Sequence, residues 1–147
     1  MKPPAHIVIS AGAALLVGQG FQSTGAGWAC FFSGVFIDID HLFDYLLRSP
    51  HRKLSVRDFF HPDQWGPDGK LYLIFHGWEY LPLLLLASLI PGITEIAWGI
   101  FIGVFIHLIL DHIHNNGHPL TYFVIYRWKS AFHFHRLFNL PLKGQDE

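Results

Sequence analysis

The chain has 147 residues, 51% of them apolar, with a formal charge of −1 and a mean hydropathy of +0.31. That length fits a single domain over residues 1–147, and a near-neutral chain with no basic stripe excludes nucleic acid as a partner. The lone Cys30 excludes an internal disulfide and any cysteine-based zinc site.

Four apolar stretches follow one another, at about residues 5–22, 28–47, 71–91 and 93–114. Each approaches the ~20 residues that a helix needs to cross a bilayer. None alternates with period two, which excludes the strands of a membrane barrel. The sequence therefore predicts an all-α membrane protein, a four-helix transmembrane bundle. A short link rich in Gly, Ser and Thr separates the first two spans, and Pro91-Gly92 separates the last two. Residues 48–70 form the long loop, punctuated by Pro50, Pro62 and Pro67. The region 119–147 carries Tyr122, Tyr126, Trp128 and Phe132 among basic residues and histidines, the composition of an interfacial helical tail. A cleaved signal peptide is the competing reading of the first span, with Lys2, an apolar core and then small residues around Ala26 and Ala29.

Basic residues set the topology. Lys2 precedes span one; Arg48, Arg52, Lys53, Arg57 and Lys70 lie between spans two and three; Arg127, Lys129, Arg136 and Lys143 follow span four. With four spans these regions share one side, which the positive-inside rule makes cytoplasmic, together with both termini.

Histidine is the anomaly, with 11 against 10 Lys plus Arg, and imidazole is the commonest metal ligand. His6 opens span one. Asp38, Asp40, His41 and Asp44 lie late in span two, His76 and Glu79 early in span three, and His107 and Asp111 late in span four. The alternating directions bring all of these toward the cytoplasmic end, and ionisable groups in spans mark a functional interior. At about 100° per residue, Asp38, Asp40, His41, Asp44 and Tyr45 share one side of span two and Ile39, Leu42, Phe43, Leu46 and Leu47 the other. His107, Asp111 and His114 form one stripe, and two ligands at i and i+4 project from adjacent turns toward one ion. Singly, most of these have bland readings: His6 as an interfacial residue, His107 with Asp111 as a hydrogen-bonded pair, Glu79 as a supporting residue. Three carboxylates and a histidine at what reads as a helix C-terminus exceed what capping requires, because the C-terminal dipole disfavours acids.

These residues resemble the small bacterial inner-membrane metal-dependent hydrolases of the LexA-regulated type. The likeness rests on His6, the Asp38-Ile39-Asp40-His41 segment, the His51-Arg52 pair, His76, and His107 with Asp111, over roughly residues 5 to 112. Ile37 stands where that family usually has Pro, and the next histidine after the pair is His61. The ligand order is also similar to that of the zinc-dependent phospholipase C and nuclease group.

The expectation is a membrane-bound metal-dependent hydrolase of the bacterial inner membrane. It would act at the cytoplasmic face on a lipid-linked or other phosphoester. His6, Asp38, Asp40, His41, His76, His107 and Asp111 would hold one or two divalent ions, zinc first among them. Glu79 or Asp44 would move the proton, and Arg52 would hold an anionic group. A metal or proton transporter is the first alternative, although the outer halves of the spans offer only Ser10, Ser33, Ser88 and Glu95. A di-iron oxygenase and a structural protein with a satisfied polar core are the others.

Overall fold

A computed structural model describes residues 3–48, 70–115 and 117–138, and the chain divides into two compact units, Met1–Ile37 with Gly77–Asn115, and Asp38–His76 with Asn116–Glu147. Regular structure among the described residues is helical, apart from two isolated bridges, Lys70 with His133 and Gly117 with Phe138.

The first unit holds α1 (Pro3–Gly20) and α2 (Thr24–Phe36), followed in its second segment by two more helices, Tyr80–Ala87 and Thr94–His114. The last of these is the one described helix long and apolar enough to cross a membrane. At 1.5 Å per residue it runs for about 31 Å, the thickness of a hydrocarbon core. Ser23 caps α2, its hydroxyl accepting from the Ala26 amide at 3.3 Å. Small residues let the helices touch backbone to backbone. Ala26, Cys30 and Gly34 follow one another at i+4 on α2 and are all buried. Gly99 and Gly103 face them from the Thr94–His114 helix: a Cβ on Gly99 would strike the Ala26 carbonyl, and one on Gly103 the Cys30 carbonyl. Ser33 Oγ adds a hydrogen bond to Ile100 O at 3.3 Å. On the other side of α2, Gly27 lies against α1, where an added Cβ would come within 3.0 Å of Ala14 O.

Between α2 and the Tyr80–Ala87 helix, the second unit contributes α3 (Ile39–Arg48), so Tyr80–Ala87 is α4 and Thr94–His114 is α5; the second unit adds α6 (Val124–Lys129) and α7 (Phe134–Leu137). α3 is sharply two-sided, as its sequence phase predicts. Asp40, Asp44 and Tyr45 are buried, and Ile39, Leu42, Phe43, Leu46 and Leu47 are exposed.

Two expected spans are not continuous helices. The stretch 28–47 breaks at Ile37–Asp38, where turns separate α2 from α3. Asp40 therefore stands in the first turn of a new helix, where the dipole favours an acid, rather than at the end of an old one. The stretch 71–91 is helical only over Tyr80–Ala87. Pro82 is tolerated in the first turn of α4, where its missing N–H would have no helical partner. The loop 49–69, with His51, Arg52 and His61, and the tail from 139 onward lie outside the described residues.

The first unit exposes large apolar side chains and buries ionisable ones. Leu16 is 72% and Leu89 76% exposed, while His6 and Asp111 are each 2% exposed.

Candidate metal centre

Each unit carries a buried histidine–carboxylate group, and each is built by the helix packing around it.

In the first unit, Gly99, Gly103, His107 and Asp111 recur at i+4 along α5, and all are buried. The two glycines bring α2 close, and the next residue on the stripe meets the end of α2. His107 Nδ1 donates to Gly34 O at 2.8 Å. Gly34 is among the last four residues of α2, whose carbonyls have no partner within the helix. A carbonyl only accepts, so Nδ1 carries a proton, and in the neutral ring Nε2 keeps its lone pair. Nε2 stands 3.6 Å from Asp111 Oδ2. The other oxygen of Asp111 accepts from His6 Nε2 at 3.0 Å, and the His6 ring stacks on His107 with centroids 4.1 Å apart. His6 Nδ1 is buried and has no hydrogen-bond partner among the described residues.

In the second unit, the irregular segment before α4 delivers His76. Its backbone is held by side chains rather than by a ladder. The Tyr72 amide donates to both oxygens of Asp44, at 3.1 and 3.0 Å, and the Leu73 amide to Asp44 Oδ2 at 3.0 Å. The Phe75 amide donates to Asp40 Oδ2 at 2.9 Å. From α6, the fully buried Arg127 donates through Nη1 to His76 O at 2.6 Å and Thr121 O at 3.0 Å, and through Nη2 to Leu73 O at 2.9 Å. Leu73 sits at φ 46°, a region that a leucine rarely enters.

The His76 ring repeats the arrangement of His107. Nδ1 lies 2.9 Å from Asp40 Oδ2 and donates to it when that carboxylate is ionised, and Nε2 stands 3.5 Å from Asp38 Oδ1. His41 Nε2 is 3.6 Å from the same Asp38 oxygen, and its ring meets that of His76 edge to face. Asp40, His41 and His76 offer ligand atoms within 4.8 Å of one another, a group that could hold a metal ion. Asp40 Oδ1 is buried without a hydrogen-bond partner among the described residues. Imidazole with carboxylate is a donor set for zinc and other divalent first-row ions.

The seven expected ligands thus fall into two sets: His6, His107 and Asp111 in one unit, and Asp38, Asp40, His41 and His76 in the other. Both oxygens of Asp44, expected to move a proton, accept backbone amides. Glu79 is the half-buried residue that opens α4. His114, expected on the ligand stripe, is exposed and donates to Leu110 O at 2.8 Å. Arg52 lies outside the described residues. Arg127 was not legible as a site residue. It stands in a basic aromatic stretch, and its partners are carbonyls 51 and 54 residues earlier.

Comparison with protein-family models, curated proteins and solved structures gives no match.

Proposed function

We propose that this chain is a metal-dependent hydrolase embedded in the bacterial inner membrane, with its centre toward the cytoplasmic face and both termini cytoplasmic. The observation that carries the metal reading is the pair of buried imidazoles whose Nε2 atoms each stand 3.5–3.6 Å from a carboxylate oxygen. These gaps are long for a hydrogen bond. Two atoms each about 2.0–2.1 Å from a tetrahedral ion are about 3.3 Å apart. Each histidine has its other nitrogen tied to a protein acceptor, the support that metal-bound imidazoles commonly have. His107 with Asp111 in the first unit, and Asp38 with His76 in the second, are the donors we assign to divalent ions, zinc first among the candidates. Such an ion supplies a Lewis acid and acidifies water toward a pKa of about 7.

The chain's own residues do the rest. His107 and His76 stay in one tautomer, because Gly34 O and Asp40 occupy their Nδ1 atoms. His6 holds Asp111 in orientation through Oδ1. Glu79 is the residue we assign to moving the proton.

The membrane reading rests on α5 and on the apolar outside of the first unit, whose exposed Leu, Ile and Phe side chains suit lipid. A site near the headgroups would take a phosphoester of a lipid or a related amphiphile as its substrate. The test is elemental analysis of the detergent-purified chain, with His107→Ala and Asp38→Ala alongside. At least one transition ion per chain is expected, with occupancy lowered in both variants. Unchanged occupancy in both would refute the assignment.

A further inference from the structure

We propose that Arg127 is a positioning residue for His76, setting the direction of its Nε2 from outside the ligand set; the inference rests on His76 being a metal ligand. Residues 71–76 lack a helix or sheet of their own. Within the segment the structure gives one backbone hydrogen bond, His76 N to Leu73 O at 3.0 Å, and Leu71 N reaches out to Phe132 O at 2.8 Å. Five further backbone groups of the segment go to charged side chains on both flanks. Asp44 and Asp40 take the amides of Tyr72, Leu73 and Phe75. Arg127 takes the carbonyls of Leu73 and His76, the first and last residues of the turn that carries the ring. Its guanidinium also grips Thr121 O, just before its own helix, so the fork ties the turn to α6.

Geometry explains why arginine stands there. Nη1 and Nη2 reach carbonyls three residues apart in the chain at 2.6 and 2.9 Å, which a planar fork does in one fixed orientation and an ammonium does not. The positive φ of Leu73 persists because its amide and its carbonyl are both held, by Asp44 and by Arg127. A buried cation here cannot serve the metal directly, since guanidinium does not ligate. Its work is on the backbone whose last residue is the ligand.

The test uses the full chain in detergent. Zn(II) affinity is measured by competition with a chelator, and the visible absorption of Co(II) in the same site reads its geometry. Arg127→Gln is expected to bind about 10–100-fold more weakly, the range for losing a group that orients a ligand, and to show a shifted Co(II) band. Arg127→Lys should recover part of the affinity with the band still displaced. Asp44→Asn should shift the band in the same direction, and Lys129→Gln, exposed on the same helix, should change nothing. Wild-type affinity and spectrum in Arg127→Gln would overturn the inference while leaving the metal reading intact. Loss of helical circular dichroism in both Arg127→Lys and Asp44→Asn would also overturn it, because the clamp would then hold the fold rather than the ring. A wild-type chain that binds no ion would overturn the metal reading and this inference together.

Discussion

Replacing Gly103 by alanine tests how tightly helix packing is coupled to the candidate centre. The added methyl would meet Ser33 Oγ, the Cys30 carbonyl and, at 3.0 Å, the Gly34 amide. The obstruction is mainly backbone, so rotamer changes cannot clear it. Ordinary contact begins near 3.4 Å, so relief asks for roughly 1 Å of separation between α2 and α5. That movement would stretch the 2.8 Å bond from His107 to Gly34 O to about 3.8 Å, beyond hydrogen-bonding distance. Overpacking contributes about 1–3 kcal/mol and the lost hydrogen bond about 1 kcal/mol, a total of about 2–4 kcal/mol. Gly12→Ala is the control: it lies inside α1 with nothing within 4 Å of its added Cβ, and it shares the same gain in helix propensity. Equilibrium unfolding of both variants in detergent isolates the collision, and metal occupancy should fall in Gly103→Ala alone. If Gly103→Ala unfolds no more easily than Gly12→Ala, the coupling of packing to the histidine is wrong.

Asp40→Asn removes the ionised acceptor of His76 Nδ1; chelator competition should show metal affinity reduced about 10–100-fold, and an unchanged affinity would mean that His76 is oriented otherwise. Glu79→Gln should keep its metal by elemental analysis and lose turnover on a phosphoester substrate, and full turnover would remove Glu79 from the reaction. Reporter fusions near Gly25 and at Gly92 should both read as external. A cytoplasmic signal at both would end the four-span topology.

The sequence made some elements plain and hid others for identifiable reasons. Spans expected at 5–22 and 93–114 correspond to Pro3–Gly20 and Thr94–His114, because both runs are predominantly apolar and stopped by turn residues. The two faces of α3 were legible from its phase alone. The break at Ile37–Asp38 was not, because the group that satisfies Gly34 O is the ring of His107, 73 residues away. Residues 71–79 mimic a span in composition, yet their amides pair with Asp40 and Asp44 across 28 to 35 residues. Local periodicity carries no sign of either. The polar residues of the candidate centre were legible as types and positions. Which nitrogen of each histidine is tied, and by what, is a property of backbone carbonyls and distant carboxylates that no spacing encodes.

The two units are interleaved in the chain, and this bears on the order in which a ribosome can complete them. The first unit lacks its long apolar helix until His114 has been made, and the second has its α3 carboxylates and His76 well before Arg127 emerges, 51 residues after the carbonyl it grips. During that interval the turn bearing His76 has acceptors for its amides but no donor from Arg127 for its carbonyls. A nascent chain stalled after His114 would thus be able to complete the packing of α1, α2, α4 and α5 while its second unit stayed open. Truncations that keep His114 but remove Arg127 should spare the first unit and leave the second open.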